Sequence, residues 1–455
     1  MKRLKSRLGI LLLAVTIVCV GIYAEAENAN LIQSYISEFE HKTKCNSMNI
    51  VVYDEGKISY YGNTNRDALY QIGSMTKAFT GLGIMKLIQE GKIIPDNKVS
   101  DYLSGFAMYY EGKKADILVK DLLSQTSGFT NSERDYPSAK ENMTLAEWVG
   151  TISGKELTYK PGEQYAYANA NYNLLGAIIE AVSGVSYKEY MEQEILIPLG
   201  LDHTFVGIAQ NEKNIVCGTR LGYWKTYDFE MSVKEGTIPA GYFYSNIHDM
   251  CRWIEIWLGK EDIPLEYKKL VEETKNIIKQ GNAYYAGWEA FGNDAIGHSG
   301  GTANYSSRMV YSTEKNIGVC ILTNLNVAAS TDRLCNDIFA ITTGKEPSGF
   351  VYDVWTVFDY VFSWISVLGL ALLFFIVCYR KNIRVMIVSD VAAIVILTSM
   401  IVIIPIIFQS AWSAILFVWA PWSVLGGMIV LSMDVIILTI KICMRRKNEN
   451  HNKKS

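Results

Sequence analysis

Hydrophobic positions follow three regimes along the 455-residue chain. At the start, Leu8–Tyr23 is an apolar block behind Lys2, Arg3, Lys5 and Arg7 and ahead of Ala24-Glu25-Ala26. A basic, then apolar, then small-residue order reads as a secretory signal with an A-x-A cleavage site, so residues 1–26 are expected to be a signal peptide, with an uncleaved anchor as the rival. Through the middle the apolar residues are periodic. Asn49-Ile-Val-Val-Tyr53, Asp54-Glu55-Gly56 and Lys57–Tyr61 give strand, turn and strand. After Gly73-Ser74, Phe79, Leu82, Met85, Leu87 and Ile88 recur at helical spacing until Gly91. Residues 92–160 read as helix and loop, with a helix stop within Asp121–Gly128, and Pro161-Gly162 as a turn. Asn171–Val182 is a helix ended by Gly184, residues 185–235 are mixed, and Asp249–Leu258 is a helix. Ser307–Tyr311 and Ile317–Thr323 form a second hairpin, and Ala328–Ile341 a closing helix. Strands at both ends with helices between them predict an α+β domain whose antiparallel sheet joins N- and C-terminal strands and is flanked by helices.

The third regime begins near Val351. Gly344–Phe350, with Pro347 and two glycines, reads as part of a linker (344–354) into a membrane region (355–442). Val361–Tyr379, Val385–Phe408 and a stretch within Ala411–Ile440 are each long enough to span a bilayer. The third carries Pro421, so Ala411–Trp422 is expected partly at the interface, with Trp412, Trp419 and Trp422 as aromatic anchors. Arg380, Lys381 and Arg384 follow span one, and Lys441, Arg445, Arg446 and Lys447 follow span three, leading into a basic tail (443–455). The excess of cations at those two points places them in the cytoplasm and residues 27–350 outside, tethered to the cell membrane. Asp390 and Asp434 fall inside spans two and three, where an acid is either a functional group or one that snorkels to the interface.

Charge and composition sharpen this layout. Of 43 basic and 46 acidic residues, 30 and 40 fall between 27 and 350, a net charge of −10 that argues against a nucleic-acid partner. Cys45, Cys217, Cys251, Cys320 and Cys335 are odd in number and lack metal spacing, so they read as buried apolar residues rather than a disulfide framework. His41, His203, His248 and His298 are too scattered for a zinc site, and neither a metal nor an organic cofactor is expected.

The candidate chemistry starts at Ser74-Met75-Thr76-Lys77. A serine three residues before a lysine at a helix start puts hydroxyl and amine one turn apart on one face, at the positive dipole end. The same spacing in Ser312-Thr313-Glu314-Lys315 lies between two strands and reads as a solvated hairpin turn. Downstream come Leu122–Gly128, Tyr167-Ala168-Asn169 and His298-Ser299-Gly300-Gly301. Two other Y-x-N tripeptides, at Tyr61 and Tyr244, are out of order or sit in a segment with another use.

In this order the motifs resemble the serine β-lactamase and penicillin-binding-protein superfamily, in particular its class C branch, over residues 27–343. Pro198–Leu201, Ala240-Gly241-Tyr242 and Gly297–Thr302 leading to Leu322-Thr323-Asn324 extend the likeness. The resemblance implies the β-lactamase/transpeptidase fold, with a mainly helical subdomain beside the sheet. It also implies a catalytic set of Ser74 as nucleophile, Lys77 as base and Tyr167 as proton relay, with Asn169, His298, Ser299, Gly300 and Gly301 binding substrate. The N–H groups of Ser74 and Gly301 would form the oxyanion hole. His298 stands where the family's true β-lactamases have lysine, a departure that favours peptide, amide or ester substrates with D-configured residues over β-lactams. Gln125 replaces a frequent histidine and reads as structural. An exported hydrolase followed by three spans resembles the membrane-bound peptidases that remove an N-acyl-D-amino-acid cap from nonribosomal peptides. The alternatives are a β-lactamase or cell-wall DD-peptidase, and an acylated sensor or binding protein without turnover.

Overall fold

The computed structural model describes residues 26–132, 140–207, 213–292, 294–378 and 383–452; the expected signal peptide lies almost wholly outside them. In chain order the helices used below are α1 (residues 26–43), α2 (Thr76–Gln89), α3 (Val119–Leu123), α4 (Leu145–Ile152), α5 (Asn169–Ser183), α6 (Ile247–Leu258), α7 (Leu265–Lys279), α8 (Ala328–Thr342), α9 (Val354–Cys378), α10 (Ile383–Phe408) and α11 (Trp422–Asn452). The main sheet contains β1 (Met48–Asp54), β2 (Lys57–Gly62), β3 (Tyr284–Tyr285), β4 (Trp288–Phe291), β5 (Ala295–Gly301), β6 (Ser306–Ser312) and β7 (Ile317–Thr323). Its spatial order is β3-β4-β5-β6-β7-β1-β2 and every pairing is antiparallel. The N-terminal hairpin thus closes onto the C-terminal one through β1 and β7, as the periodicity predicts.

Alternation along these strands splits the core in two. Val51, Tyr53, Met309, Tyr311, Cys320 and Leu322 join α2, α5 and α6 on one face. Ile50, Val52, Val310, Val319 and Ile321 meet α1 and α8 on the other. A strand covered on both faces buries every position, and β6 and β7 are buried throughout. The second S-x-x-K is the β6–β7 turn, where Ser312 Oγ accepts from the Lys315 N–H at 3.2 Å. Ser312 is buried rather than solvated, because it closes the last rung of this covered strand. Cys45, Cys251, Cys320 and Cys335 are buried and free, and Cys217 is half-buried and free.

The segment 344–353 is fastened rather than loose. Asp337 of α8 accepts from the N–H groups of Ser348 (2.7 Å) and Gly349 (3.0 Å), and Asp353 accepts from Ala329 N–H (3.0 Å). Beyond it, α9, α10 and α11 are three helices long and apolar enough to cross a membrane. The first begins at Val354, earlier than the apolar run alone suggests. Between α10 and α11 the chain makes a short helical excursion over Trp412–Trp419 and then turns at Ala420-Pro421. Thr439 Oγ1 donates to Asp390 Oδ2 at 3.0 Å and ties α11 to α10. Asp434 is buried near Gly369 of α9, and among the described residues neither of its oxygens has a hydrogen-bond partner.

Candidate active site

Three pieces of chain converge on Ser74. A small sheet of Tyr70–Gln71, Phe243–Ser245 and Phe205–Val206 leads directly into the 3-10 turn Gly73–Met75, which opens α2. Ile72 is fixed from two sides: its N–H donates to Phe243 O (2.9 Å), and its carbonyl accepts from Ser307 Oγ of β6 (2.8 Å). Gly73 has φ +52°, and a Cβ there would lie 2.5 Å from Gly301 N and 2.8 Å from Gly300 C. Only a glycine lets the turn lie this close to the strand. Strand β4 pairs with β5 only as far as Gly297, so residues 298–301 keep a single partner strand and leave their other edge beside the Ser74 turn.

Helix α2 is buried nearly all round, so its polar residues must find partners inside. Lys77 is fully buried, and its Nζ lies 3.0 Å from Ser74 Oγ, 2.8 Å from Asn169 Oδ1 and 2.5 Å from Ala240 O. Burial pushes its pKa well below the ordinary lysine value, with the carboxylate of Glu289 opposing the shift in part. A neutral amine has two N–H donors and one lone pair. The donors match the two oxygens that can only accept, Asn169 Oδ1 and Ala240 O, and the lone pair is left for the Ser74 hydroxyl proton.

Tyr167 precedes α5, next to Ala168, whose backbone is extended. Gln125, itself at φ +58°, holds both flanks of that tyrosine: its carbonyl accepts from Ala166 N–H (2.9 Å) and its Oε1 from Ala168 N–H (2.9 Å). The Tyr167 hydroxyl is hydrogen-bonded to Ser74, and burial raises its pKa above the ordinary tyrosine value, so it stays a donor. Lys77 Nζ lies 5.0 Å from the centre of its ring.

Of the remaining expected residues, Gly301 lines the cleft and Asn169 both lines it and binds Lys77. His298 lies beneath the cleft floor. It is 2 % exposed, with Nδ1 2.6 Å from Ser299 O and Nε2 3.2 Å from the Tyr284 hydroxyl. Because a carbonyl only accepts, Nδ1 carries the proton and Nε2 accepts from Tyr284. Burial lowers its pKa to about 3, so it is a neutral imidazole packed near Tyr167 rather than a cation facing solvent. Ser299 points to the opposite face of β5, donating to Asp332 Oδ2 (2.9 Å) and accepting from Arg308 Nη1 (2.5 Å). Gly300 has no room for a side chain: a Cβ would lie 2.1 Å from Ile72 O.

The cleft holds about 200 Å³ and is lined by Ser74, Tyr167, Asn169 and Gly301 together with Trp148 of α4 and Trp419. Motif spacing does not point to the two tryptophans. The proline break and the cluster of tryptophans mark Trp419 as an interfacial residue, and the fold turns it toward the domain that carries Ser74. The Ala240 carbonyl is equally silent in sequence, although Ala240-Gly241-Tyr242 marks the wall that carries it.

A fold of this topology with a serine–lysine pair under a tyrosine defines a class. The family model described as Beta-lactamase matches residues 32–340, and the chain belongs to that family. It is similar to Protein flp of Staphylococcus aureus, 35 % identical over 267 residues that cover 56 % of this chain and 53 % of that protein. It is also similar to a putative D-alanyl-D-alanine carboxypeptidase of Escherichia coli O157:H7, 29 % identical over 271 residues that cover 51 % of this chain and 61 % of the relative. The chain spans little more than half the length of these curated relatives. Among solved structures, the octameric penicillin-binding protein homologue from Pyrococcus abyssi superposes with TM-score 0.61 at 24 % identity, over 73 % of this chain and 81 % of that one. A class C beta-lactamase in complex with cefoxitin gives 0.59 at 17 %, over 69 % and 99 %. These two likenesses establish the fold.

Proposed function

We propose that the chain is a membrane-tethered, extracytoplasmic serine hydrolase that acts through an acyl-enzyme on Ser74, with D-amino-acid-containing peptides, amides or esters as substrates. One observation carries the reading: a fully buried lysine, its pKa pushed well below the ordinary value by desolvation, lies 3.0 Å from a serine hydroxyl that lines a cleft. Ser74 Oγ attacks the substrate carbonyl while its proton passes to Lys77 Nζ. The new oxyanion lies between the N–H groups of Ser74 and Gly301, each such donor contributing about 3–4 kcal/mol to the transition state. Tyr167, protonated and bonded to Ser74 Oγ, hands a proton to the leaving group and regains it through Lys77. Water then attacks the ester carbon along the same route in reverse and releases Ser74.

The cleft wall favours a neutral substrate bond over a terminal carboxylate. Among its described residues none carries a full charge, and His298 is neutral beneath the floor. For orientation, the Trp412–Trp419 excursion touches the cleft, so it and the hydrolase domain lie on one side of the spans. The basic clusters at 380–384 and 441–447 belong to the opposite ends, and their charge favours the cytoplasm there.

The test is labelling of the purified full chain with a fluorophosphonate and with a penicillin, beside Ser74→Ala. Label that depends on Ser74 is expected from the fluorophosphonate; none from either probe overturns the reading. Turnover of N-acyl-D-amino-acid amides, D-Ala-D-Ala and simple esters then sorts the substrate classes. A stable acyl-enzyme with no product from any of them would make the chain a sensor instead.

A further inference from the structure

Trp419 belongs to the excursion between two spans, yet it lines the cleft with Ser74. Its base is rigid. Ala420 N–H donates to Ile415 O (2.7 Å), Ile415 and Ala420 are buried beside Phe362 and Val424, and Trp412 Nε1 donates to Ile401 O (3.0 Å). The hydrolase domain is fixed to the same bundle. Trp224 N–H donates to Asp359 of α9 (2.8 Å), and Ser423 of α11 donates to the same carboxylate (2.7 Å). Arg220 is 2 % exposed, its guanidinium 4.3 Å from the Phe229 ring and 4.5 Å from Trp422. None of its three nitrogens has a hydrogen-bond partner among the described residues, so the two aromatic faces are what hold it. Such contacts set the position of Trp419 relative to Ser74.

Behind Trp419 lies a second cavity of about 190 Å³, which shares Tyr242, Thr302 and Trp419 with the cleft. One wall is apolar and comes from the membrane region, Ala414 and Val418; the other comes from the hydrolase domain and is mainly polar, with Gln71, Lys234 and Asn304 beside Met231. It runs along Thr302–Asn304, the residues that directly follow the oxyanion donor Gly301. Small-molecule sites occupy roughly 300–1,000 Å³. Neither cavity reaches that alone, and a ligand that occupied both sides of Trp419 would fill a volume in that range.

Building on the serine-hydrolase reading, we propose that the membrane region supplies part of the substrate site. The second cavity is a distal subsite for an extended, peptide-like chain, and Trp419 is its specificity-determining residue. The chain crosses Trp419, sets its hydrogen-bonding backbone against Gln71 and Asn304, and turns an apolar substituent toward Ala414 and Val418.

The experiment compares kcat/KM for matched short and extended ester or amide substrates, in one series lengthened on the acyl side and in another on the leaving-group side. The full chain is used in lipid nanodiscs, as wild type, Trp419→Ala, Trp419→Phe and Val418→Trp. The readout is the extended-to-short ratio within each protein, which cancels differences in folded fraction. In one of the two series the wild-type ratio is expected to be tenfold or more. Trp419→Ala removes the wall and Val418→Trp fills the cavity, and each brings the ratio below about threefold, while Trp419→Phe restores most of it. A ratio near one in both wild-type series, or the same ratio in all four proteins, overturns the subsite. Failure of wild-type Ser74 to take up a fluorophosphonate is a separate result, and it overturns the hydrolase reading instead.

Discussion

Gly73→Ala is the sharpest test of how the fold builds an oxyanion site. The added methyl would sit 2.5 Å from Gly301 N and 2.8 Å from Gly300 C, both backbone atoms that no side-chain rotation can move away. The residue also has φ +52°, which costs an alanine about 1–2 kcal/mol. Overpacking of this kind costs about 1–3 kcal/mol more, so the variant should lose roughly 2–5 kcal/mol of stability. The relief available is for β5 to retreat from the Ser74 turn, and that carries the Gly301 N–H out of reach of the oxyanion. Loss of one such donor lowers the acylation rate by about 10²–10³. Gly91→Ala separates the two effects: Gly91 has φ +72° but open space around its Cα, so it pays the backbone strain alone. The assay is the second-order rate of Ser74 phosphonylation at a temperature where thermal unfolding shows each variant folded. Gly91→Ala should melt slightly lower and react at the wild-type rate, whereas Gly73→Ala should react at least a hundredfold more slowly. A folded Gly73→Ala that reacts as fast as wild type would refute the claim that the Gly73–Gly301 contact sets the site.

Lys77→Met should lower acylation by about 10²–10⁴, the usual contribution of a positioned base; acylation in the wild type should rise with pH along a limb well below the ordinary lysine value, because burial depresses the Lys77 pKa, and an unchanged rate in the variant would mean another base. His298 has a folded pKa of about 3 against 6.5 unfolded, so the unfolded chain binds the extra proton between those values and stability is lost as pH falls through that window, by up to about 5 kcal/mol. Urea unfolding of wild type and His298→Asn at pH 7 and pH 4 reads this directly: the wild type should lose more stability than the variant, and equal losses would contradict the buried neutral imidazole. With Cys217 and Cys443 replaced by serine, a cysteine placed at Asn452 should react with an impermeant maleimide only after cells are permeabilised; labelling of intact cells that depends on the added cysteine would reverse the proposed orientation.

What could be read from the chain was what is local. The apolar strand and turn of Asn49–Gly56, the helix that stops at Gly184 and the i, i+3 spacing of Ser74 and Lys77 depend on neighbours in sequence, and the fold keeps all three. What could not be read depends on which distant surface a side chain meets. His298 is an ionisable group by composition, but its neutrality is set by burial against Tyr284, fourteen residues away on another strand. Strand period does carry one unused signal: Ser299 must face away from its neighbour His298, and it does, toward Asp332. The glycine-rich 344–353 stretch looks flexible until Asp337 of α8 is seen to bind it. Trp419 looks like a membrane anchor because an aromatic residue near a proline break carries no information about direction.

Lys77 shows how these levels join. A helix that is buried nearly all round tolerates polar residues inside only where each has a partner, and the buried part of α2 carries Thr76, Lys77 and Thr80. All three reach the same stretch of chain. Thr76 Oγ1 accepts from Phe243 N–H (3.1 Å), Thr80 Oγ1 donates to Pro239 O (2.8 Å), and Lys77 donates to Ala240 O. The two threonines therefore fix the segment whose carbonyl takes one of the two Lys77 protons, and Asn169 takes the other. With both donors committed, the remaining lone pair has one hydroxyl to face, that of Ser74. The desolvation that lowers the pKa of the amine and the hydrogen bonds that aim it thus come from one feature of the sequence, a helix too apolar to leave a buried polar group unpartnered.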